Sequence, residues 1–125
     1  MLVKEIMNKA IAVDHDISIK EASGIMSKSK IGSLIILKDS SVIGIITEKD
    51  LAENVGNSGK KISAIMSKNV IKVSPYDDLD IAAELMSKNK IKRLPVLDNG
   101  KLVGIITASD LIAHIDELEE DFFIE

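Results

Sequence analysis

Apolar and polar positions change rhythm along this chain, and the changes mark its elements. Ile19, Ala22, Ile25 and Met26 recur at helical spacing, which predicts an amphipathic helix. Ser18-Ile19-Lys20-Glu21 opens it in capping-box form, with Ser at the N-cap and Glu three residues on. Leu79, Ala82, Ala83 and Met86 repeat the pattern, and Ser74-Pro75 marks the loop before it. Aliphatic runs come after each helix. Residues 33–37 and 42–46 flank Lys38-Asp39-Ser40-Ser41, and residues 93–97 and 102–106 flank Asp98-Asn99-Gly100-Lys101. Asn-Gly accepts positive φ, so this second turn is a strong hairpin signal. Near-continuous β-branched or Leu positions predict strands buried on both faces. Short β-rich stretches precede the helices at 10–13 and 70–73, and second helices are predicted from about Glu48 and about Ala108.

The order β-α-β-β-α is therefore written twice. The phrase GIITEKDL at 44–51 returns as GIITASDL at 104–111, an offset of 60. Upstream the offset becomes 59, since Ile6-Met7 matches Ile65-Met66, so one residue was gained or lost entering the first strand. Gly56-Asn57-Ser58-Gly59, with Lys60-Lys61 after it, reads as the linker. The repeats are placed at 1–56 and 57–125. One such unit buries little alone, and two packed together would share a core. The fold class is α/β in the mixed, α+β sense.

Composition narrows the function. The chain has 125 residues, 46% hydrophobic and 29% charged, with a net charge of −4. That acidic balance argues against nucleic acid as a partner, because phosphate backbones are bound through basic surfaces. Tyr76, Phe122 and Phe123 are the only aromatic residues, which leaves no platform for stacking bases. Cysteine is absent, so disulfides and thiolate metal sites are excluded. His15 and His114 stand 99 positions apart, unlike clustered metal ligands, and Asp14-His15-Asp16 reads as a solvated loop. No nucleophile, base and orienting group recur together, so no enzyme is expected. The carboxylate pairs Asp77-Asp78 and Glu119-Glu120 read as solvated. The amino-terminal MLVKEIMNKA lacks the apolar core of a signal peptide, and no run is long enough to span a bilayer. A cytoplasmic setting without membrane contact is expected. At the other end Leu111, Ile112, Ile115 and Leu118 form a helical stripe, and Phe122 and Phe123 are expected to pack on the chain's own core or on a second copy.

The repeated phrase admits two readings. Thr47 or Thr107 stands where a strand gives way to a helix, and Asp50 or Asp110 three residues on can complete an imperfect capping box. Alternatively the same turn offers free N–H groups to an anion and a carboxylate to a ribose diol. The two readings do not exclude one another.

Three sets of residues resemble tandem cystathionine-β-synthase-type (CBS) domains, the stand-alone pair called a Bateman module. They are the two copies of Gly-Ile-Ile-Thr-x-x-Asp-Leu, the stretch Ile91-Lys92-Arg93-Leu94-Pro95-Val96-Leu97-Asp98, and Ile31-Gly32-Ser33-Leu34-Ile35-Ile36. The Ile-Met pair near each unit start adds to them. The resemblance implies two repeats packed by pseudo-twofold symmetry and a regulatory sensor. Such a sensor holds AMP, ADP or ATP, or sometimes S-adenosylmethionine or a dinucleotide, in clefts between the paired repeats. It implies no catalytic cofactor, and a homodimer.

Carried onto this chain, the resemblance assigns Asp110, Thr107 and Ser109 to one sugar-phosphate site, with Val70 and Ile71 by the base. It assigns Asp50 and Thr47 to the other, with Lys49 near phosphate and Ala10 and Ile11 by the base. Lys92 and Arg93 would meet phosphate in either site. Unit one has Gly32, Ser33 and Ile35 where unit two has Lys92, Arg93 and Pro95, so one site is expected to bind more tightly. The competing expectation is a ligand-free structural or protein-interaction module that dimerises, its Thr and Asp serving only as caps.

Overall fold

From Ile11 the chain forms β1 (Ala12–Val13), α1 (Ile19–Ser29), β2 (Ser33–Lys38), β3 (Ser41–Thr47) and α2 (Glu48–Glu53). Two 3-10 turns come next, at Val55–Asn57 and Ile62–Ala64. The second half forms α3 (Leu79–Asn89), β4 (Arg93–Asp98), β5 (Lys101–Thr107), α4 (Ala108–Ala113) and a 3-10 turn at Ile115–Glu117. This computed structural model describes residues 1–117. Leu118, Glu119, Glu120, Phe122 and Phe123, for which the sequence raised expectations, lie outside the described residues.

The helices form as their sequences direct. Ser18 Oγ accepts the Glu21 N–H at 3.1 Å while the Glu21 carboxylate reaches back to the Ser18 N–H at 3.4 Å, so the capping box satisfies donors the helix leaves free. Loop carbonyls take the next two, Ile19 N–H to Lys60 and Lys20 N–H to Ser58. The linker thus caps α1 as well as joining the repeats. Ile19, Ala22 and Met26 bury one face of α1, and Leu79, Ala82 and Met86 bury the same face of α3. Both helices stop at a lysine in the left-handed region, Lys30 at φ 53° and Lys90 at φ 54°.

Each hairpin closes on two residues with positive φ, Asp39-Ser40 and Asn99-Gly100, the turn whose twist suits flanking strands. Both hairpins carry a bulge. Ile36 pairs with Gly44 but Leu37 pairs with Val42, so Ile43 is extra, and Val103 is its counterpart. A bulge bends its strand and re-aims the residues beyond it, here the Ile-Ile-Thr that leads into the helix. Ser33, Leu34, Ile35 and Ile36 are all buried, so β2 is covered on both faces.

The chain divides into two compact units, Ile11–Val70 on one hand and Met1–Ala10 with the second half from Ile71 on the other. Each unit therefore takes its leading segment from the other repeat. In the Ile11–Val70 unit, Ser67 exchanges two backbone bonds with Ile45, at 3.0 and 3.1 Å, and Ile62 is buried in a core with Met26, Leu34, Ile36 and Ile46. In the other unit Asn8 exchanges two bonds with Ile105, at 2.8 and 2.9 Å, and Val3 is buried with Leu79, Met86, Leu94 and Ile106. The glycine that opens each phrase makes room for this segment. A Cβ on Gly104 would stand 2.8 Å from the Asn8 carbonyl oxygen, and one on Gly44 would strike Met66.

The two first strands differ. β1 pairs in parallel with β2, and Ile35 N–H donates to the Ile11 carbonyl at 3.0 Å. The sequence predicted the same at 70–73, but only Val73 pairs there, as an isolated bridge to Val96. The reason is Pro95, which stands where the other repeat has Ile35 and has no N–H to give the Ile71 carbonyl.

Candidate functional site

The Thr-x-x-Asp turns arise where strand meets helix. Thr107 ends β5 with extended backbone, φ −119°, and caps α4. Asp110 lies one turn on, so its carboxylate folds back to the cap. Asp110 Oδ2 accepts the Thr107 N–H at 2.8 Å and the Thr107 Oγ1–H at 2.9 Å. It also accepts the Asn8 side-chain amide at 2.8 Å. All three bonds fall on one oxygen, which leaves Oδ1 without a donor among the described residues. Asp50 Oδ2 accepts the Thr47 N–H at 2.9 Å and Thr47 Oγ1–H at 3.3 Å, and receives no third bond among the described residues. Both carboxylates are half-buried. A half-buried carboxylate with one anchored and one open oxygen can accept hydrogen bonds from a vicinal diol. α2 and α4 are six residues each, so the carboxylate, more than any helix field, is what these turns offer.

Lys92 and Arg93 join the Asp110 turn through the backbone. The Ala108 N–H donates to the Lys92 carbonyl at 2.8 Å, and Arg93 is the cross-strand partner of Thr107. Neither cation has an ion-pair partner among the described residues, and Ser109, in the first turn of α4, is exposed. The other turn has the same frame, Glu48 N–H to the Gly32 carbonyl and Ser33 opposite Thr47, but different charges. There Glu48 replaces Ala108, and Lys49 approaches Glu53 at 3.9 Å across one exposed helix turn, a pair of small energetic weight. The strand entering the Asp110 turn thus carries two cationic residues, whereas the Asp50 turn has Gly32 and Ser33 there and adds Glu48.

The residues expected near a base divide between the units. Ile71 lies in the unit of Asp110 and Ile11 in the unit of Asp50. Val70 and Ala10 stand at the junctions, Val70 in the Asp50 unit and Ala10 in the Asp110 unit. Ile71 is half-buried against its unit's core, as Ile11 is against the other. Only the Ile11 carbonyl is engaged by the neighbouring strand.

Sequence reasoning missed Asn8. The signal was the 59-residue offset, which sets Asn8 opposite Ser67 in otherwise similar Ile-Met-x-Lys segments. A groove of about 460 Å³ is lined by Met26, Lys30, Ile31, Glu48 and Leu51. It belongs to α1 and the start of α2, and Asp50 does not line it. Among the described residues His15 has a polar contact with its neighbour Asp14, at 3.0 Å. No group of three His, Cys, Asp or Glu able to hold a metal occurs among the described residues, and no helix there is long and apolar enough to cross a membrane.

Comparison with known proteins gives a consistent answer. The CBS domain family model matches residues 3–57 and again 62–117. The CBS domain pair of protein MJ0100, solved in complex with 5′-methylthioadenosine and S-adenosyl-L-methionine, is 36% identical with a TM-score of 0.86, over 93% of this chain and 96% of that one. The CBS domain-containing protein YhcV of Bacillus subtilis is 30% identical over 117 residues, 90% of this chain and 84% of that protein. The inosine-5′-monophosphate dehydrogenase of Thermoplasma acidophilum is 34% identical over 110 residues, 87% of this chain, which spans 22% of that enzyme's length.

Proposed function

The chain belongs to the CBS-domain family, with two copies in tandem, and from that premise we propose that it is a regulatory module that binds an adenosine-containing ligand. One observation carries the reading. In each copy a half-buried aspartate is anchored through Oδ2 to its own threonine, and Oδ1 is left open to a ribose diol. A relative of similar length, 36% identical, was solved with two adenosine compounds.

In this reading Asp110 and Thr107 hold the ribose of the tighter site, with Ser109 beside them and the Ile71 backbone by the base. Lys92 and Arg93 meet phosphate, which favours AMP, ADP or ATP over an uncharged adenosine. Asp50, Thr47, Lys49 and Ile11 form the weaker counterpart, because Glu48 repels a phosphate there. Val70 and Ala10 border the two base contacts. The module acts in the cytoplasm, and as a homodimer. In support of the dimer, Ile112 is 69% exposed and Ile115 is 46% exposed, apolar surface that association would cover. Light scattering at micromolar concentration that returns a monomer would remove that part.

The test of ligand binding is calorimetric titration of AMP, ADP, ATP, S-adenosylmethionine and 5′-methylthioadenosine into the wild type, Asp50→Ala and Asp110→Ala. Micromolar binding is expected, with Asp110→Ala abolishing the tighter event while the protein stays folded. A second reading rests on the same bonds, since each aspartate already holds its own threonine without a ligand. If nothing binds and each substitution costs only about 1 kcal/mol of stability, the turns are caps and the module is a scaffold for another protein.

A further inference from the structure

We propose that Asn8, contributed by the leading segment of the first repeat, is a positioning residue for the Asp110 carboxylate and makes that turn selective for a ribose over a deoxyribose. The inference rests on the reading of Asp110 as the diol acceptor and extends it to a residue outside the repeated phrase.

The geometry is specific. Asn8 cannot drift, because its N–H and C=O are both bonded to Ile105, at 2.8 and 2.9 Å. Gly104 lets it come this close, since any Cβ there would meet the Asn8 carbonyl oxygen. The side-chain amide then lies 2.8 Å from Asp110 Oδ2. An ionised carboxylate only accepts, so the amide must turn its NH₂ toward it. With the backbone fixed, the amide loses little further freedom on making the bond.

The consequence falls on the oxygen that Asn8 does not touch. Three donors on Oδ2 fix the plane of the carboxylate and saturate one oxygen, so a ligand meets Oδ1 already oriented. The 2′-OH is the part of the ligand that distinguishes ribose from deoxyribose. Its bond is strong only if the acceptor is already in place.

The other copy supplies the contrast. Ser67 stands at the place of Asn8, with the same pair of backbone bonds, to Ile45. Its side chain makes no bond to Asp50, which keeps two donors instead of three, the longer at 3.3 Å. Two copies of one phrase are therefore presented differently by segments the phrase does not include.

Asn8→Ser is the informative variant, because Ser67 shows that serine fits this backbone. The adenosine panel is titrated into wild type, and the tightest ligand is then compared with its 2′-deoxy counterpart in wild type and Asn8→Ser. Thermal unfolding checks that the variant is folded. We expect the ribose ligand to weaken by about 2–10-fold, the scale of ordering one side chain, while the 2′-deoxy ligand hardly changes. The ribose preference then shrinks by that factor. Equal weakening of both ligands would mean that Asn8 only supports the fold, and no change in either would mean that its amide is irrelevant. Either result overturns the inference and leaves the proposed function standing. No binding of any panel member to wild type overturns both.

Discussion

Single residues carry more asymmetry in this chain than its repeats suggest. Asp16 is an example outside the binding turns. Its two oxygens accept the Ser63 N–H at 3.0 Å and the Ser63 hydroxyl at 2.6 Å. It thereby ties the loop before α1 to the Ile62–Ala64 turn. These bonds hold its carboxyl below the ordinary value of 3.8, the side-chain bond to Ser63 contributing most. A carboxyl whose folded pKa is depressed stabilises the fold above its unfolded value and loses that contribution as the pH falls through the folded one. The stability gap between wild type and Asp16→Asn should thus be constant near neutrality. It should narrow as the pH drops below 3.8. Urea denaturation at several acid pH values measures it, and a gap that stays constant down the acid limb would contradict the assignment.

At the scale of elements, the glycine of the repeated phrase is explained by what lies across it. Gly44 and Gly104 both have negative φ, so neither is there for backbone freedom. A methyl at 104 would meet a backbone oxygen at 2.8 Å and the Met7 Sδ at 2.9 Å, whereas a methyl at 44 meets only the side chain of Met66. A thioether chain can swing aside, and a hydrogen-bonded carbonyl cannot. Gly104→Ala should cost about 1–3 kcal/mol, the scale of overpacking, and Gly44→Ala distinctly less, by chemical denaturation of each variant. Equal costs would mean that the segment across β5 yields as easily as Met66. Much at this scale was legible in the sequence. The capping box at Ser18, the helical stripes, the Asn99-Gly100 turn and the β2 run buried on both faces are all products of local sequence. The bulges at Ile43 and Val103 were not legible, because one extra residue leaves an aliphatic run looking unbroken. The shortened first strand of the second unit had a visible cause in Pro95. That cause acts only once Pro95 is known to face Ile71.

The molecule as a whole shows why repetition in sequence and partition in space are different things. Comparing the two halves sets repeats at 1–56 and 57–125, and the family model matches 3–57 and 62–117. Folding groups Met1–Ala10 with the second half instead. No local pattern announces that exchange, since it is decided by long-range pairing, and the Thr–Asp turns could be read while the residue beside Asp110 could not. The exchange has a direct consequence for a chain lacking residues 1–9. Such a chain loses the burial of Val3, about 1.5–3 kcal/mol for a fully buried aliphatic side chain. It also loses the bonds Val3 N–H to Asp77, Lys4 N–H to Pro75, Leu79 N–H to Met1 and the Asn8–Ile105 pair. All of these lie on α3, β5 and the loop before α3, and none lies on β2 or β3. Hydrogen exchange should therefore show protection falling in α3 and β5 of the second repeat while the amides of β2 and β3 keep theirs. If the first repeat folded around its own leading segment, β2 and β3 would lose protection instead, so the site of the loss decides between the two partitions.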